Sequence, residues 1–202
     1  RIIPSFTRNW LAARKTTRLP AQWSAFDKSN MALTAAALLM YVALPEGVAT
    51  AVLGVAAGIA NLIRLMRWQG HQTLCEPLLW SLHLAYAFLG FGFIMVAVAA
   101  LGLFDYAAAV HLWLAGTVGL MTIAVMTRAT RGHTGRQLTA PPSTALIYAL
   151  AVLAVVARVL AAVVADKLLF LYAASAAWVT AFTLFVAIYG PYLLQRTPKK
   201  AA

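Results

Sequence analysis

A chain of 202 residues that is 63% hydrophobic and only 10% charged lacks the polar surface a soluble domain of this size needs. The net charge of +11 does not mark a nucleic-acid binder. The lysines and arginines cluster between apolar runs, where the positive-inside rule puts them.

A helix that crosses a hydrocarbon core of ~30 Å needs ~20 mostly apolar residues. Several windows reach that length with few or no charges, and none shows strand-like alternation at barrel length. The expected fold is therefore all-α: a polytopic transmembrane helical bundle. The single cysteine, Cys75, excludes an intrachain disulfide.

In chain order, residues 1–28 are basic and aromatic, with Arg1, Arg8, Arg14, Lys15, Arg18 and Lys28 interleaved with Phe6, Trp10, Trp23 and Phe26. This predicts an interfacial segment on a charged membrane face. No signal peptide precedes it and the chain starts without Met, so a fragment of a longer protein is expected. Residues 29–194 read as a six-helix bundle, with spans at about 30–44, 48–66, 78–103, 107–127, 144–165 and 168–189. Pro45-Glu46-Gly47 makes a tight turn after the short first span. A basic tail, 195–202, closes the chain.

Fourteen of the 16 Lys and Arg residues fall on one side of these spans: the N-terminal segment, Arg64 and Arg67, then Arg128, Arg131 and Arg136, then the tail. The other side holds Glu46, Asp105, Asp166 and only Lys167. Both termini are therefore expected in the cytoplasm. Gly54 and Gly58 form a GxxxG pair in the second span, and Gly116 and Gly119 lie in the fourth, which favours close helix packing. "RLMRWQGHQT" (64–73) is echoed by "RATRGHT" (128–134) on the same membrane face. Duplicated helix pairs or coincidence both account for that.

No paired carboxylates, nucleophile elbow or phosphate loop is present, so hydrolytic chemistry is not expected. The chemistry-bearing residues are four histidines. Histidine in a bilayer is a natural ligand for haem or copper. His83 lies a few residues into the third span, and His111 just inside the fourth on the outer side. His83 is costly to bury, which marks it for a ligand or proton-handling role, with a histidine bonded to a neighbouring helix as the plainer alternative; for His111 a functional role stands against an interfacial histidine near Trp113. Across the core the two stay roughly 15 Å apart, too far to share one iron. His71 or His133, near the inner face, are candidate metal partners. His71 and Cys75, four residues apart, would align on a helical turn as a soft copper pair. Arg158 sits roughly 10 Å deep in the fifth span, at the depth of His111. It would either hold a haem propionate or snorkel outward. Met121 and Met126 read as packing.

"RIIPSFTRN" (1–9), "EPLLWSLHLAYAF" (76–88), "GLMTIAVMTRATRGHTGR" (119–136) and "YGPYLL" (189–194) resemble the NnrS family. The resemblance covers essentially the whole chain and corresponds to the C-terminal half of proteins about twice this length. It implies a multi-pass protein of the bacterial inner membrane, linked to the nitric oxide response, denitrification and nitrosative stress tolerance, and carrying haem and also copper. It carries over Arg128, His133, Thr134, Gly135 and Arg136 from the long motif, and His83 and His111 from matching segments. His83 and His111 are then axial ligands of separate haem sites, with Arg158 or Arg128 neutralising propionates. The missing N-terminal half is the expected partner, beside the lipid bilayer. Two other readings remain: half of a membrane transporter, and a non-catalytic sensor or assembly subunit whose cationic loop docks a partner or anionic lipid. Residues 126–136 read either as the inner rim of a site or as a solvated orienting loop.

Overall fold

The computed structural model describes residues 1–194. The basic tail, 195–202, lies outside them. Among the described residues the regular structure is helical: α1 (Ile2–Ala13), α2 (Ala25–Ala43), α3 (Val48–Met66), a 3-10 turn (Gly70–Thr73), α4 (Pro77–Ala100), α5 (Tyr106–Trp113), a π-helical turn (Leu114–Gly119), α6 (Leu120–His133), α7 (Pro142–Leu160) and α8 (Lys167–Leu194). Five helical runs are long and apolar enough to cross a membrane: α3, α4, the continuous run Tyr106–His133, α7 and α8. The chain is a membrane helical bundle.

The expected first span is the exception. Helix α2 equals α3 in length, at 19 residues, but starts five residues before the expected Asn30. Asp27, Lys28, Ser29 and Asn30 fill its first turns and make it less apolar than the five. The starts are set by local chemistry. Asp27 accepts a hydrogen bond from the Ser24 backbone N–H at 2.9 Å at the head of α2. Glu76 caps α4 by accepting from Leu78 N–H at 3.1 Å, with Pro77 at the first helical position. Asp105 caps α5 through Ala108 N–H at 2.6 Å.

The central helix is α4, which touches α1, α3, α5, α6 and α7. It is apolar all round, as a helix enclosed by others must be, and Leu78, Leu82 and Ala85 are fully buried. The GxxxG pair does close α3 onto it. A Cβ on Gly58 would stand 2.7 Å from the Gly90 carbonyl oxygen, and one on Gly54 3.1 Å from that of Phe93. Only hydrogen at those positions lets the two backbones approach so near.

The fourth span runs further than hydropathy indicates. Helix α6 continues to His133, so Arg128, Thr130 and Arg131 are helical rather than part of a loop. Nothing in that stretch breaks a helix before Gly132, and the turn away is made at Gly135, whose φ is +70°. The interfacial segment is also structured: α1 buries Ile3, Thr7 and Leu11 and packs on α4.

Candidate functional site

Two places gather the chemistry-bearing side chains, at opposite ends of the bundle. At the end expected to face outward, a cavity of about 500 Å³ opens between α5, the π-helical turn, α7 and α8. His111 and Arg158 both line it, with Ala115, Val155, Leu171 and Trp178 among the apolar wall. That volume is in the ordinary range for small-molecule sites, which are mostly apolar with a few fixed polar groups.

The His111 ring is oriented from behind. Its Nδ1 lies 2.6 Å from the Ala107 carbonyl oxygen. A carbonyl can only accept, so the proton sits on Nδ1 and Nε2 carries the free lone pair. This is the backing arrangement that metal-ligating histidines use. Arg158, in the last turn of α7, has a buried Nη1 with no hydrogen-bond partner. A buried guanidinium nitrogen left unpaired is costly. The π-helical turn, Leu114–Gly119, lies beside the cavity, and such bulges recur at functional sites. Within it, Gly116 lets Phe88 lie against the backbone, and Gly119 does the same for Trp178.

At the inner end His83 is buried. Its Nδ1–H donates to the Leu79 carbonyl at 2.9 Å, and its Nε2 faces the Thr7 hydroxyl of α1 at 3.2 Å. Gly70 lies flat on the ring: a Cβ there would meet His83 Cδ2 at 2.5 Å. Trp68 stands edge-on, with centroids 6.4 Å apart. So His83 and His111 sit in separate surroundings, as their depths require. Arg128 is also buried. Its guanidinium lies 4.2 Å over the Phe6 ring, and its Nη1 has no hydrogen-bond partner. His71, in the 3-10 turn, and His133, at the end of α6, are exposed. Cys75 is an exposed free thiol.

Beside His83 runs a buried polar chain. Arg64 Nε donates to Asp27 at 2.9 Å, and Arg64 Nη1 to the Tyr86 hydroxyl at 3.1 Å. Tyr86 donates to Asn61 Oδ1 at 2.6 Å, which also receives Asn30 Nδ2 at 3.1 Å. Asn61 then donates to Thr34 Oγ1 at 2.9 Å. None of the four histidines belongs to this polar chain. Asn61, a polar residue inside an apolar run, is the signal that would find it.

With this geometry in place, comparison with known proteins adds one decisive match. The family model described as "NnrS protein" matches residues 1–196. The chain belongs to the NnrS family. It is accordingly a membrane protein associated with the nitric oxide response. Searches of curated proteins and of solved structures returned no match.

The NnrS resemblance implies haem and copper, and the two fare differently against the residues present. In the outer cavity the residues that would hold a haem are His111, backed by the Ala107 carbonyl, and the half-buried Arg158, set in an apolar wall. Copper does not find a donor set. Among the described residues, no three His, Cys, Asp or Glu side chains group to hold a metal. His71 and Cys75 also fall across a 3-10 turn and its exit, not on the α-helical turn that would align them.

Proposed function

We propose that the outer cavity binds haem, which His111, through Nε2, and Arg158, through its positive charge, would hold. The protein would act in the nitric oxide response and nitrosative stress tolerance, from the bacterial inner membrane. One observation carries this reading: His111 and Arg158, from different helices, line one cavity. Haem, when bound, supplies an iron that takes up diatomic gases. The chain's own residues do the rest. Ala107 fixes the His111 tautomer through its carbonyl. Arg158, which lines the same cavity, would bring a positive charge to an acid group. Val155, Leu171 and Trp178 keep the wall apolar, which disfavours water and suits an apolar gas arriving from lipid.

His83 holds a different place in this proposal. Its Nδ1 donates to Leu79, and its Nε2 lies against the Thr7 hydroxyl, whose one proton the Ile3 carbonyl also draws on, so it latches α1 to α4. A ligand role there requires Thr7 to leave.

The test is a reduced-minus-oxidised spectrum of the purified full-length protein. A Soret band is expected, lost in His111→Ala and retained in His83→Ala. A full-length protein without a Soret band, or one whose band is unchanged by His111→Ala, overturns the reading.

A further inference from the structure

The inner end holds a second cavity, of about 250 Å³, between α1, residues 21–23 and the end of α3. Arg1, Ser5, Arg8, Gln22, Asp27 and Arg64 line it. We propose that it binds a phosphate group, supplied by the headgroup of an anionic phospholipid. This inference is independent of the haem reading.

Asp27 is the one carboxylate in that lining, and its oxygens are already committed. They accept from Arg64 Nε at 2.9 Å, Ser24 N–H at 2.9 Å and Ser24 Oγ at 3.0 Å, with Arg67 at 3.7 Å. Arg1 and Arg8 find no carboxylate among the described residues. Arg8 donates to the Pro20 carbonyl, and the Arg1 guanidinium rests 4.9 Å over the Trp23 ring. Two positive charges therefore face one pocket without a counter-ion, beside the neutral donors of Ser5 and Gln22. Forked guanidinium donors suit the oxygens of a phosphate.

Position argues for lipid as the source. The pocket lies on the face that carries most of the basic residues, where basic pockets meet anionic headgroups. Ile2 is 58% exposed and Trp23 37% exposed beside it. An apolar side chain and an aromatic ring flanking a cationic pocket match the boundary between headgroup and acyl chain.

The experiment uses the full-length protein, purified from membranes and exchanged into nanodiscs of phosphatidylglycerol and phosphatidylcholine. Native mass spectrometry then reads the retained lipid. The wild type is expected to retain phosphatidylglycerol selectively. Arg1→Gln and Arg8→Gln should each weaken that retention about fivefold, the effect of one arginine near an anionic surface. Lys28→Gln, an exposed charge outside the pocket, should leave it unchanged. Arg1→Gln guards against misfolding of the Arg8 variant, because Arg1 contributes only a ring contact. Equal retention by wild type and Arg1→Gln overturns the site, as does an equal loss in Lys28→Gln. Loss of haem in place of lipid overturns it as well. Binding of inorganic phosphate with the same arginine dependence, but no lipid retention, keeps the phosphate site and overturns its lipid source.

Discussion

At the scale of single residues, polar pairs at the inner end hold helices that hydropathy alone would leave loosely joined. Thr7 faces His83 Nε2 at 3.2 Å. Thr7→Val keeps the shape but leaves that nitrogen unpaired, which costs about 1–3 kcal/mol. Faster proteolysis within α1, with the haem spectrum unchanged, is the expected outcome. Asp27 argues for a pH effect. Burial raises its pKa, but the Ser24 N–H and Arg64 outweigh that and hold it below the ordinary value of 3.8. A depressed carboxylate stabilises the fold above its unfolded pKa, and that contribution is lost as pH falls through the folded value. Asp27→Asn should lower Tm at neutral pH, because Arg64 loses its carboxylate partner. The gap to wild type should begin to narrow below about pH 4, near the unfolded value, and close as pH falls through the lower folded value. A gap that persists in acid would refute the pairing. Asn61 was legible in the sequence as a polar residue inside a span. Its partners Tyr86, Asn30 and Thr34 were not, because they arrive from other helices.

At the scale of helices, the run Tyr106–His133 joins the two ends of the molecule. Its first turns carry His111 to the outer cavity, and its last carry Arg128 against α1. Its π-helical turn is where glycine contacts shape the cavity from behind. A Cβ on Gly119 would stand 2.3 Å from Trp178 Cη2, so Gly119→Ala must move an indole that lines the cavity. A shifted Soret maximum or reduced haem loading is expected, with stability changed by only about 1–3 kcal/mol. An unaltered spectrum would show that Trp178 does not border the haem. Gly58→Leu tests the other close contact. Its side chain would force α3 from the Gly90 carbonyl, and poor expression or a lower Tm by circular dichroism is expected. The glycine pair and the apolar runs were visible in the sequence. The π-helical turn was not, since its hydrogen-bond shift leaves no mark in periodicity.

At the scale of the whole molecule, charge and chemistry segregate. Basic residues collect at one end, with Arg1, Arg8, Arg64 and Arg67 around the inner pocket and Asp27. The outer cavity lies at the other, near Asp105 and Asp166. This arrangement predicts sidedness. Cys75 is exposed on the basic side, so a membrane-impermeant maleimide should label it only in inside-out vesicles. A Glu46→Cys variant in a Cys75→Ser background should react only in right-side-out vesicles. Labelling of both from one side would invert or break the topology.

Composition and the distribution of arginine and lysine determined by themselves that this chain is a helical membrane protein, because the energetics of a bilayer act on every residue through its local transfer cost. They also placed His83 and His111 apart, since depth follows from position along a span. Tertiary structure alone decided which side chains meet. Arg158 comes to His111 because α7 packs against α5, and Thr7 comes to His83 because α1 folds onto α4. It also made residues 126–133 a helix with Arg128 buried, and left His133 exposed at its end. A loop and a helix extension share the same composition there, and packing distinguishes them: α6 lies against α4, α7 and α8, with Arg128 over the Phe6 ring of α1.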